Sequence, residues 1–248
     1  MDITIVDKNQ DTFYKVMDAA LKIPGVKVNR EKFLRTELSK YVSSNIVENA
    51  IKLNPSKAGI DEKIINIIAN SSINYETKKL TLISAAAGVP GGIAIIGTVS
   101  ADLVQYFSHI IIIVQKLVYL YGWKDICDIN GQLNDEAKDM LIIFMGGIFG
   151  VKSAMDILKQ IATKAVPSIE KKIANKALTK GIIYPVVKKV SSIVGGKMTK
   201  GIFARGVTKI VPIVSAGLSG ALTYASFKPM SIKFKDYLKE LPLANCND

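Results

Sequence analysis

Residues 80–121 read LTLISAAAGVPGGIAIIGTVSADLVQYFSHIIIIVQKLVYLY. Between Leu80 and Gln115 the one formally charged residue is Asp102, in thirty-six positions. The flanking segments are shorter, more amphipathic or more polar. This stretch is therefore either the deepest helix of the fold or a segment that meets a bilayer. Gly88, Pro90, Gly91 and Gly92 interrupt it. Pro90 removes a helical hydrogen bond and the glycines loosen the backbone, which predicts a hairpin of two helices. The first covers about Thr77–Gly88 and the second about Ile93–Tyr121. The first two-thirds of the second has the length and apolarity of a membrane span, roughly 20 residues.

That second helix carries a polar seam. Thr98, Asp102, Gln105 and His109 follow one another at spacings of four, three and four, and Lys116 continues the stripe. Buried polar groups need hydrogen-bond partners, so the seam must face other polar groups, water or a ligand. In lipid, an aspartate at that depth marks a functional site. In a bundle, Asp102 is satisfied by a helix N-terminus or a lysine. His109 is the single histidine, and no nucleophile elbow accompanies it, so no catalytic residue is assigned. No His/Cys/carboxylate cluster has ligand spacing, and neither a metal nor a cofactor is expected.

Working outward, Phe13, Val16, Met17, Ala20 and Leu21 predict a helix over 10–22, ended by Pro24-Gly25. Asn29 caps a second helix reaching about Leu53. Asp61 caps a third, short one, EKIINIIANSSI. These three are assigned packing roles only. Beyond Gly122 the interval GWKDICDINGQLNDEAKD is polar and acidic, and it lacks the spacing of a calcium loop. Asn134 or Asp135 then caps a helix to about Val166, with a small-residue patch at Gly146, Gly147 and Gly150. Tyr184-Pro185, Gly195-Gly196 and Gly206 divide the succeeding segment into short pieces. A terminal amphipathic helix covers about Ser231–Leu241, and the tail LPLANCND is expected to fray.

The expected fold is all-α: a multi-helix bundle around a long apolar helix with Gly-rich helical hairpins and no significant β-sheet. One domain covers 1–248, with amphipathic N-terminal helices in 1–76, the apolar hairpin in 77–123 and basic helices in 134–241. An apolar content of 49% with 22% charged residues excludes a disordered chain. Cys127 and Cys246 form neither a disulfide framework nor a metal spacing, which points to a reducing compartment. The acidic N-terminus, MDITIVDKNQDTF, lacks the pattern of a secretory signal.

The net charge of +12 is unevenly placed. Residues 1–151 balance, with 16 Lys/Arg against 16 Asp/Glu, whereas residues 152–248 hold 17 against 5. Every charged position from Lys171 to Lys235 is basic. Such an excess suits an anionic partner or a solvated lysine surface. Lys188, Lys189, Lys197, Lys200, Arg205 and Lys209 lie in short, glycine-flexed amphipathic segments of the kind an anionic membrane attracts. Aromatic residues are scarce among them and no recognition motif appears, which argues against nucleic acid.

Three blocks carry a family resemblance: ALKIPGVKVNREKF, the stretch from ISAAAGVPGG to LVYLYGW, and KIVPIVSAGLSGALTYASF with the basic helix after it. In these the chain resembles the EcsC family. Asp102 matches the family pattern; Ser100 and Ser215 stand where it commonly has Pro and Gly. The resemblance implies a helical, membrane-associated protein of cytoplasmic orientation, sometimes linked to a membrane transporter, secretion or competition between cells. It implies no catalytic residues.

The expectation is thus a non-enzymatic protein that binds the anionic inner face of the cell membrane, peripherally or with conditional insertion. The alternative is a small-molecule or lipid-processing enzyme using the Asp102, Gln105 and His109 seam as its polar wall.

Overall fold

The computed structural model describes residues 3–85, 101–126, 134–165, 180–195 and 219–245. Among them are nine α-helices: α1 (Ile3–Leu21), α2 (Arg30–Leu38), α3 (Ser44–Lys52), α4 (Glu62–Ala85), α5 (Ala101–Leu120), α6 (Asp135–Ile148), α7 (Lys152–Ala165), α8 (Lys180–Gly195) and α9 (Ser219–Lys239). A 3-10 turn, Pro242–Ala244, comes after them, and no strand occurs among the described residues. The all-α class expected from periodicity is the class observed.

Helix α5 is the axis of the bundle, touching α1, α2, α4, α6 and α9. Its apolar window Leu103–Leu120 is long enough to cross a membrane, yet 83% of it is buried inside the protein. Phe107, Ile110, Ile111, Ile113, Val114, Leu117, Val118 and Tyr119 have no exposed surface at all. A helix apolar on every side is one surrounded by other helices or by lipid. Here other helices surround it. Helix α4 lies against α5 and α9, and α1 lies between α5 and α8.

Several boundaries differ from the sequence expectation. Asn29 does cap α2, its side chain accepting from the Lys32 N–H at 2.7 Å, but this helix stops at Leu38 and a separate α3 begins at Ser44. Asp61 also caps as expected, accepting from the Lys63 N–H. The helix it starts is not short: α4 runs 24 residues and takes in residues 77–85 of the segment read as the first arm of the hairpin.

The helix expected from Asn134 to Val166 is two helices bent by 120°. The Val151 N–H bonds the Gly146 carbonyl at 2.8 Å and the Gly150 N–H bonds that of Gly147 at 2.9 Å. This pairing needs a left-handed residue, and Gly150 supplies it with φ +69°. Gly122, with φ +92°, closes α5 in the same way.

Pro185 sits inside α8 rather than dividing it, and Pro229 likewise lies inside α9. Both prolines are exposed, as is Gly181, whose carbonyl loses its helical donor at Pro185. The tail is not frayed through 245: Leu243 is buried, and its carbonyl accepts from Asn54 Nδ2 at 3.0 Å.

Candidate functional site

The buried stripe of α4 runs Ile65, Ile68, Ala69, Ser72, Ile73, Glu76, Thr77 and Leu80, at helical spacing. Glu76 is thus a carboxylate on a core-facing position. It stands opposite the polar seam of α5. Its Oε2 lies 2.8 Å from His109 Nδ1, and its Oε1 accepts from Lys116 Nζ at 2.7 Å. The Glu76 and His109 side chains are 3% and 5% exposed, and that of Lys116 18%. Because an ionised carboxylate only accepts, the Nδ1 of His109 carries the proton in this pair.

Burial pushes the Glu76 carboxyl up; the His109 hydrogen bond and the Lys116 charge pull it down and outweigh burial, leaving it below its ordinary value. The Lys116 ammonium also sits 5.4 Å from the centre of the Tyr75 ring and 6.0 Å from that of Phe33. Such placement over aromatic faces stabilises a cation further.

Of the seam residues, the structure therefore brings His109 and Lys116 together, on a partner that was not expected. Gln105 is half-buried one turn before His109 and makes none of the bonds to Glu76. Asp102 lies on the first turn of α5, and its side chain is outside the described residues. So are Thr98, the turn residues Gly88, Pro90, Gly91 and Gly92, and the basic residues Lys197, Lys200, Arg205 and Lys209.

Three other polar nodes escaped the sequence reading. Gln115 donates to the carbonyls of Val26 at 2.7 Å and Ile111 at 2.9 Å, and accepts from the Val28 N–H at 3.1 Å, pinning the segment before α2 onto α5. Arg30, 7% exposed, donates to the carbonyls of Trp123 at 3.0 Å, Ile51 at 2.8 Å and Ala50 at 3.4 Å. It serves the C-terminal ends of α3 and α5 at once. Lys235 on α9 donates to Asn66 Oδ1 at 2.8 Å and Asn70 Oδ1 at 3.0 Å on α4. Each node joins helices, and Lys235 also pairs with Asp236 of its own helix at 3.3 Å. The signal that would have found Glu76 is its register with Ile65, Ala69, Ser72 and Leu80.

Chemically, the Glu76–His109–Lys116 cluster is a neutralising clamp between α4 and α5. Nucleophilic or acid–base work needs a substrate within hydrogen-bond reach of the acting group. His109 is almost fully enclosed and its Nδ1 is held by Glu76. Among the described residues no group of three or more His, Cys, Asp or Glu side chains is placed to hold a metal ion.

The outer surface offers a different kind of site. On α8, Ile183, Val186, Val187 and Val190 are buried, while Gly181, Tyr184, Pro185, Lys188 and Lys189 face out. An exposed tyrosine thus stands one turn from two adjacent lysines. No protein-family model, curated protein or solved structure matches the chain.

Proposed function

We propose that the protein is a non-enzymatic helical protein that binds the anionic cytoplasmic face of a membrane through its basic C-terminal half. The observation that carries this reading is the charge partition. All of the +12 excess lies in residues 152–248, and Lys188 and Lys189 of that half point outward from α8 beside Tyr184. Lysines near an acidic bilayer contribute about 1 kcal/mol each, so a handful suffices for reversible recruitment at low salt. A tyrosine at the same level favours the headgroup region, where one end of its ring is wet and the other apolar.

The resemblance to the EcsC family points to the same setting and extends it to a partner such as a membrane transporter. Burial of α5 in the bundle accounts for its apolarity without insertion, so the proposed association is peripheral. An enzyme built on the α5 seam finds less support, since His109 is spent on Glu76.

Vesicle co-sedimentation tests the reading. Binding to acidic vesicles, release by salt, and weakening of roughly thirtyfold in a Lys188→Gln/Lys189→Gln protein are expected, at about 1 kcal/mol per lysine. Equal binding to neutral and acidic vesicles, or none to either, would overturn it.

A further inference from the structure

Among the described residues seven large apolar side chains are exposed, and three of them lie on one helix: Ile67 at 50%, Tyr75 at 59% and Leu82 at 70%, all on α4. They share a single outward stripe, Ile67, Ser71, Tyr75, Lys78, Leu82, with steps of four, four, three and four. Lys63 and Lys79, also exposed, flank it. The one carboxylate between Lys63 and Ala101 is Glu76, which is turned into the core and neutralised there. The outward face of α4 is consequently apolar and basic, with no acidic side chain after Glu62.

We propose that this face of α4 is a second lipid contact. Ile67, Tyr75 and Leu82 enter the headgroup–acyl boundary of an anionic bilayer, and Lys63, Lys78 and Lys79 meet its acidic headgroups. The proposal rests on the membrane-surface reading above and adds a contact face outside the basic half. Charge selects an acidic occupant. Shape selects lipid over an acidic protein: the three apolar groups stand about 12 and 10 Å apart along a convex helix, at 1.5 Å per residue, with Ser71, Asn74 and lysines between them. Isolated side chains on a convex surface suit a fluid phase that closes around each one. A folded protein partner buries a contiguous apolar core patch, which these separated side chains do not form. The face is also held rigidly, because Glu76 ties α4 to α5 while Asn66 and Asn70 tie it to Lys235 of α9. Binding therefore orders no new helix.

The test uses the full chain with phosphatidylcholine vesicles, plain or containing about one third phosphatidylglycerol. An Ile67→Glu/Tyr75→Glu/Leu82→Glu protein is expected to stay folded with its helicity kept, since all three positions are half exposed or more and the one contact to the clamp that is lost is that of the Tyr75 ring with Lys116. It should lose about tenfold or more of its binding to the acidic vesicles. Leu82→Trp should shift its emission to the blue and be quenched by brominated acyl chains on acidic vesicles alone; the native Trp123, 2% exposed, provides a constant background. If the wild-type protein binds neither vesicle, this proposal and the membrane reading fall together. If it binds acidic vesicles but the triple variant binds equally and the new tryptophan is unquenched, the α4 contact alone is overturned. Should the triple variant unfold, the Leu82→Trp quenching decides.

Discussion

Replacing Glu76 tests whether the polar seam of α5 is structural. In Glu76→Leu, the His109 Nδ1–H and the Lys116 ammonium lose the acceptor they reach at 2.8 and 2.7 Å. Hydrogen bonds involving a charged group contribute about 1.5–3 kcal/mol each. Lys116 retains 18% exposure and can turn part of the way to water, whereas His109 cannot. Removing one partner from a buried pair costs about 3–5 kcal/mol, and this site should fall within that range. Glu76→Gln should cost less, about 2–3 kcal/mol, because its carbonyl still accepts from Lys116 and its amide can donate to Nδ1 of His109 once the ring proton has moved to Nε2. At about 2–4 °C per kcal/mol for a chain of this size, the leucine variant should melt about 6–20 °C lower.

Urea unfolding, followed by circular dichroism and by the emission of Trp123, measures these losses. The order wild type, Gln, Leu is the signature. A leucine variant within about 1 kcal/mol of wild type would refute the clamp. The same residue sets a pH dependence. Its folded value lies below the ordinary 4.5, so its contribution is complete above that pH and is lost as pH falls through the folded value. Glu76→Gln should lack that part of the acid loss.

Three further sets of substitutions probe the frame around the site. Gly122→Ala forces a side chain into φ +92°, with its Cβ 2.6 Å from the Leu243 carbonyl oxygen and 2.7 Å from Asn54 Nδ2; a loss of about 2–4 kcal/mol in urea unfolding is expected. Arg30→Met leaves the Trp123, Ile51 and Ala50 carbonyls without their donor. It should cost about 2–4 kcal/mol, and Arg30→Lys should recover little, because one ammonium cannot span three carbonyls as the planar fork does. Asn66→Leu/Asn70→Leu leaves the nearly buried Lys235 ammonium with only the exposed Asp236 carboxylate, at 3.3 Å, and adding Lys235→Met should restore stability relative to that double variant. Calorimetric melting of the double and triple proteins decides this, and equal melting points would contradict it.

The class of the fold was legible because hydrophobic periodicity is a local property. So were the caps at Asn29, Asp61 and Asn134, whose side chains accept the first free N–H groups of their helices. The features that escaped depend on surroundings. The break between α2 and α3 falls in Ser39–Ser43, where neither proline nor glycine marks it. Pro185 looked like a divider, yet it lies on a solvent face of α8, where a lost hydrogen bond is replaced by water. His109 and Lys116 were correctly placed on one stripe, but their partner stood in NYETKKL, where a glutamate among lysines reads as solvated surface. Only the register of Glu76 with Ile65, Ala69 and Leu80 distinguishes it, and that register appears once α4 is seen as one helix through Ala85.

The length of α4 is also what joins its two roles. A helix ending near Ile73 would place neither Glu76 against α5 nor Tyr75 and Leu82 on the surface. Tyr75 and Glu76 are neighbours in sequence, so their side chains diverge by about 100° around the helix. One faces water and the other the core. Lys116 reaches between them, bonding the carboxylate and lying beside the exposed ring. The cluster that neutralises the buried charge therefore also fixes the orientation of the outward face. A clamp mutation that left the bundle folded should loosen that face, whereas changes at Ile67 and Leu82 should leave the clamp intact. This asymmetry arises from burial. The core contacts are irreplaceable, and the surface side chains are free to serve a partner.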